Sequence, residues 1–405
     1  MTRKRAILDG VLISGIHMNY WAGSTIQMTF LVSFMTMSGY TASQIGLAVA
    51  VFSVVNFTFQ PVWGYLSDRM KNIRRIIILC LLCSAPLLLL LPGAVESRLS
   101  YLMIVYTLLA CFQGPVAGLL DSLTYSGAET NRYIVYGIAR GSGSLFSAVA
   151  MLVSGELLYR IGVRYAFAAE AALFILAAVC AALYSGTGFE NAASQRNERP
   201  ALGATIRESL QNRACLFLFL SVALLNIGIK AGYTFVPMMV LKMGGTTASN
   251  GYVMAINTVG MMPCMLLYNY LHDRRRVSNK ILYLLACLFT IARILSLAMV
   301  RTMTAMYAIQ LISSLQYGFL QPAMLTAVAE LVPKRIRTTA ITLAAALQLG
   351  ASSLLGDYAA GILVERVGMR TTFLLLTGIA VLGLCSFLHS AHITEKNSRE
   401  QTVFR

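Results

Sequence analysis

Charge is what this chain has least of. Asp, Glu, Lys and Arg make up 12% of its 405 residues, where a soluble protein of that length keeps roughly a quarter. No stretch is long and polar enough to fold as a separate soluble domain. No Gly-rich loop runs into Lys-Ser or Lys-Thr, so the phosphate cradle of an ATP-driven machine is missing. Gly141 and Gly143 lie in a GSGS run, but it continues as apolar helix. HExxH, Cys/His clusters and nucleophile elbows are also absent, which leaves an enzyme without support. Cys80 and Cys83 form a CxxC inside an apolar segment with neither a second pair nor a nearby His, and are read as packing residues.

What is there instead is apolar sequence, 57% of the chain, delivered in runs such as Ile76 to Pro92, IIILCLLCSAPLLLLLP. A bilayer core takes about 20 consecutive apolar residues per helix. Such segments predict twelve spans at 10–36, 43–66, 75–94, 100–125, 134–159, 165–185, 212–240, 248–271, 279–300, 303–330, 338–364 and 370–390. The first span has no clear cleavage site behind it and is expected to be retained. The expected class is an all-α integral membrane protein in two pseudo-symmetric six-helix bundles, 1–185 and 212–405, joined by a polar linker at 186–211.

The net charge of +16 would suit nucleic acid, but its placement points elsewhere. Of the 32 basic residues, 22 fall in one alternate set of loops and termini and 7 in the other. This positive-inside bias predicts a multi-pass inner-membrane protein with both termini cytoplasmic and no nucleic-acid partner. The halves echo each other. Tyr65-Leu66-Ser67-Asp68-Arg69 returns as Tyr270-Leu271-His272-Asp273-Arg274. Gly155, Leu157, Arg160, Gly162, Arg164 and Phe167 return as Gly361, Leu363, Arg366, Gly368, Arg370 and Phe373. Parallel six-helix repeats suit a secondary transporter working by alternating access.

At these residues the whole chain resembles the major facilitator superfamily. Gly64, Asp68 and Arg69, followed by Lys71, Arg74 and Arg75, look like that family's motif between spans 2 and 3. Asp273 and Arg274 form a weaker second copy, with Asn269 where Gly64 would recur. The resemblance implies a gating role for these residues, with the glycine permitting close helix approach. Gly114-Pro115, Asp121 and the Arg140-Gly141-Ser142-Gly143-Ser144 run look like the lactose-permease and phenylpropionate-permease branch, in which a late span-4 carboxylate and a span-5 arginine hydrogen-bond the sugar. Asp121 and Arg140 match them, the acid displaced by one residue. Arg293 stands where the branch often has an arginine. The sugar-stacking tryptophan is replaced by Ser147, and the branch's span-10 histidine and acid fall near Ser313 and Gln316, which do not titrate.

An ionisable residue at the centre of a span costs about 2.5–3.5 kcal/mol on insertion scales, so each needs a reason. Asp121 and Arg140 are expected to meet as a solute clamp or a gating ion pair. Lys230 and Asp357 are expected at one depth as an intramembrane ion pair. His17, beside Asn19, Tyr20 and Trp21, is either a proton-coupling residue or a hydrogen-bonded packing histidine. Glu156 and Glu170 are read as solvated near the outer surface. Trp21, Gln27, Asn56, Gln113 and Tyr233 are among the side chains that can face a solute. The expected function is proton-coupled uptake of a small polar solute (sugar, nucleoside or aromatic acid) by a monomer in the lipid bilayer. It needs no metal and no cofactor beyond the proton gradient. The alternatives are a proton-antiport exporter, against which stands the lack of proline in span 5, and a non-transporting membrane sensor.

Overall fold

The computed structural model describes residues 2–186, 211–333 and 336–403. The expected linker, with its amphipathic Leu202, Ile206 and Leu210, lies outside them apart from its edges, as do Lys334, Arg335 and the Asp68 side chain. Every described element is helical, in the order of the expected spans. They are α1 (Arg3–Met37), α2 (Ala42–Met70), α3 (Ile73–Ser97), α4 (Leu99–Gln113), α5 (Val116–Thr130), α6 (Tyr136–Ile161) and α7 (Ala166–Leu183). After the linker come α8 (Arg213–Lys242), α9 (Thr247–Asn269), α10 (Asn279–Met299), α11 (Met303–Leu331), α12 (Arg337–Ala346), α13 (Ala360–Val367) and α14 (Met369–Val403). Among the described residues nine helical stretches are long and apolar enough to cross a membrane. The other expected spans fall in α1 and α11, which carry many polar side chains, and in the stretch from 337 to 367.

The main departures from the sequence expectation are in four spans. The fourth span divides at Gly114-Pro115 into α4 and α5. The eleventh changes winding between α12 and α13, through π-helical turns at Leu347–Ala351 and Leu354–Ala359. The first and last helices start earlier and end later than their apolar cores, because a helix does not stop where its greasy face does.

The chain divides into two compact units: Met1–Asn197 with Pro237–Thr258, and Glu198–Val236 with Val259–Arg405. In the first, α1 packs along α6 and α7, and α3 along α7 and α4. Ile13, Ile16, Ala22 and Phe30 of α1 are completely buried. Asp9 is buried too, salt-bridged to Arg5 at 3.4 Å and hydrogen-bonded by the Ser185 backbone and hydroxyl just past α7. The first turns of α9 belong to this unit. The Asn250 amide donates to the Thr29 carbonyl at 2.6 Å and to Ser33 Oγ at 3.2 Å. Gly251 lies against Gly155 so closely that a Cβ on it would stand 2.6 Å from the Met151 carbonyl oxygen. In the second unit α10 packs on α11 and α14, and Tyr283 stacks on Phe387 at 4.2 Å.

The internal repeat has a backbone counterpart. Gly162 ends α6 with φ 106° and Gly368 ends α13 with φ 84°. Each amide closes the last turn, on the carbonyls of Leu158 and Val364. A side chain at that φ is strained, so glycine is the natural residue at both.

Candidate functional site

Pro115 organises the first cluster. It has no N–H, so the carbonyl four residues earlier loses its helical donor. That carbonyl, of Cys111, instead receives the Trp63 indole N–H at 2.8 Å. The nearby Gln113 carbonyl accepts the Tyr20 hydroxyl at 3.3 Å. Beyond the break, α5 carries Asp121 and Thr124 towards α1 and α6. His17 is buried with Nε2 2.9 Å from Thr124 Oγ1. Gly143 supplies the close approach, since a Cβ there would lie 3.1 Å from the His17 carbonyl oxygen and 3.0 Å from the Trp21 ring.

Arg140 lays its guanidinium over the Trp21 ring, 3.9 Å from the centroid, and reaches Ser144 Oγ at 3.3 Å. It attracts the Asp121 carboxylate, which is hydrogen-bonded by Tyr136. Tyr136 in turn stacks on Tyr125 at 4.2 Å. Asp121 Oδ1 is buried with no hydrogen-bond partner among the described residues. The structure thus gathers His17, Trp21, Asp121, Tyr136 and Arg140. It adds the two aromatic partners, Trp21 for the arginine and Tyr136 for the acid, that spacing alone does not pair.

Glu170 corrects the solvated reading. On α7 it is 0% exposed and its Oε1 accepts the Gln113 amide at 3.0 Å. Helix depth counted from sequence cannot say which face turns inward, and this one turns onto α1 beside Phe174. Glu156 is exposed and pairs with Arg160 at 2.8 Å. Glu170→Gln should leave the melting temperature in detergent unchanged. Glu170→Ala strips the Gln113 amide of its acceptor and should cost about 1–3 kcal/mol. Equal melting of both variants would contradict the buried bond.

The second unit holds the other intramembrane charges. Arg293 on α10 is 1% exposed. It donates from Nη1 to Gln316 Oε1 at 3.1 Å and lies over the Tyr233 ring, 4.5 Å from the centroid. Gln316 is uncharged, so a neutral side chain holds the guanidinium. Asp357 is fully buried and accepts the Thr234 hydroxyl at 2.6 Å. Lys230, one turn before Thr234, attracts that carboxylate, and its Cβ would stand 2.8 Å from a Cβ on Gly356. The Thr234 and Ser353 hydroxyls are therefore direct partners of Asp357, and the lysine acts on it electrostatically.

At the motif positions, Arg69, Asp273 and Arg274 are exposed, the last two in the π-helical turn Tyr270–Arg274. A Cβ on Gly64 would meet nothing within 4 Å, so the close approach expected there is not made. Sequence reasoning missed Asp9, signalled only by Arg5 four residues before it, and the Gln113–Glu170 bond, which had no local signal.

The chain is 24% identical to the uncharacterized transporter YwbF of Bacillus subtilis over 399 residues, 95% of this chain and 94% of the relative. It is 25% identical to the maltose permease of Geobacillus stearothermophilus over 355 residues, 86% of each. Among solved structures it is similar to the nucleoside transporter NupG in its D323A form, with a TM-score of 0.83, 15% identity and coverage of 95% and 99% of the two chains. A bacterial homolog of the human lysosomal transporter Spinster, inward-facing and unoccupied, gives 0.77 at 14% identity, covering 97% and 98%. At those identities the structural likeness is one of fold. The sequence also matches the Major Facilitator Superfamily over residues 12–356, and again over 276–403, and the chain belongs to that family of membrane transporters.

Proposed function

We propose that this transporter takes up a small polar solute, a sugar, nucleoside or aromatic acid, in symport with protons by alternating access. It acts as a monomer in the inner membrane with both termini cytoplasmic. The observation that carries this reading is Asp121, with one carboxylate oxygen buried and unpartnered, beside an arginine stacked on an aromatic ring. A buried carboxylate oxygen with no donor is an open hydrogen-bonding position, which a proton or a solute hydroxyl can fill. The Arg140–Trp21 pair offers a solute both guanidinium donors and an aromatic face. Relatives named as a maltose permease and a nucleoside transporter agree with a polar solute. His17, bonded to Thr124, serves this site by packing. The motif residues Gly64, Asp68, Arg69, Asp273 and Arg274 act in gating, and the attraction between Lys230 and Asp357 changes during the cycle.

The test is the pH change of de-energised cells expressing the protein as sugars, nucleosides and aromatic acids are added in turn. One class should alkalinise the medium, and Asp121→Asn should abolish the signal while the protein remains in the membrane. A signal unchanged in Asp121→Asn would move the proton elsewhere. Silence with every solute would favour export.

A further inference from the structure

Within the second unit Lys230 has the Asp357 carboxylate to attract. Arg293 has no such counterpart. It enters no salt bridge among the described residues, and the aromatic ring of Tyr233 is what attracts it. The surrounding sequence explains why. α8 and α10 contain neither Asp nor Glu, and α11 contains only Glu330, fourteen residues beyond Gln316. At about 1.5 Å per residue, that acid stands roughly 21 Å away along the helix. Solvent does not make up the difference, because Arg293 is 1% exposed and Ser313 and Gln316 are fully buried. Arginine keeps its charge in proteins, so the cation stays.

Donors are in surplus at the same place. Arg293 Nη1 is spent on Gln316 Oε1. Arg293 Nε, Gln316 Nε2 and Ser313 Oγ are buried with no hydrogen-bond partner among the described residues. Ser313 and Gln316 lie three apart on α11 and so share a face of it. From α8 the guanidinium is met by Gly232, where a Cβ would stand 3.4 Å from Nη2, so that position brings no acceptor side chain.

We propose that Arg293, Ser313 and Gln316 bind a compact monovalent anion, a halide or the carboxylate of a solute, as the counter-charge that these helices lack. A buried cation is costly unless paired. Three donors around a cation suit an anion better than a water, which accepts two hydrogen bonds and carries no charge. The site is independent of the proposed proton symport, since its occupancy is measured without transport.

Melting of the purified full-length protein in detergent tests this, at constant pH and ionic strength, as sodium methanesulfonate is replaced stepwise by sodium chloride or sodium benzoate. An anion that binds the folded protein raises the melting temperature as its concentration rises. A rise with chloride marks an inorganic anion, and a rise with benzoate alone marks a solute carboxylate. Gln316→Glu sets a carboxylate beside Arg293 and should abolish the response. Glu330→Gln, at the end of α11, should keep it. Equal melting of the parent in all three salts overturns the proposal. A parental response in Gln316→Glu overturns it equally, because the anion then sits on another cation.

Discussion

Gly251→Leu should slow transport by roughly one to two powers of ten while the protein still folds and inserts. A Cβ at this position would stand 2.6 Å from the Met151 carbonyl oxygen and 3.0 Å from the Gly155 Cα, and both are backbone atoms that cannot step aside. The crossing must separate, and Asn250, next in sequence, then loses its bonds to Thr29 and Ser33. Overpacking a tight contact costs about 1–3 kcal/mol. A conformational equilibrium that depends on the contact shifts by roughly one to two powers of ten for that energy. If alternating access makes and breaks this contact each cycle, the variant is held on the broken side and net uptake falls by a similar factor. Two measurements check it: initial uptake rate, and maleimide labelling of Ser33→Cys in a background without native cysteines. Ser33 is completely buried in the parent, so its labelling should accelerate in the leucine variant. Parental uptake together with parental labelling would show that the crossing plays no part in the cycle.

The second large effect is expected at Gln316. Arg293 is a cation in the middle of a membrane helix whose direct hydrogen-bond acceptor is an uncharged amide, aided by the Tyr233 ring. Hydrogen bonds to charged groups contribute about 1.5–3 kcal/mol. Removing the acceptor leaves the guanidinium poorly solvated, so Gln316→Leu should lower the melting temperature in detergent by several degrees. Arg293→Met with Gln316→Leu should recover much of the loss, because removing both members of a buried polar pair is gentler than stranding one. Gln316→Glu should hold or raise the melting temperature, since a carboxylate pairs the same guanidinium directly. A Gln316→Leu protein that melts like the parent would refute the pairing.

The fold was legible because its signals are coarse. Runs of apolar residues mark spans, and a repeated helix end marks the internal repeat. The candidate residues were legible at the level of residue type. Asp121, Arg140, Arg293, Lys230 and Asp357 stand out because charge is rare inside such helices. Pairing was harder to read. Arg140 takes Trp21, Arg293 takes Gln316 and Asp357 takes Thr234, partners that are aromatic or neutral and so abundant along the chain that no spacing singles them out. Glu170 was misplaced for a related reason, because depth along a helix is readable from sequence and its rotation against three neighbours is not.

The two glycines that end α6 and α13 also bear on ancestry. The halves of this chain have drifted until few side chains agree, and the motif after α2 survives in its second copy only in part. At positions 162 and 368 what has persisted is a backbone angle, positive at both. Drift can exchange one apolar side chain for another at little cost, but at a left-handed helix end almost every exchange is penalised. At these two helix ends the internal repeat is thus held by residues that have no side chain.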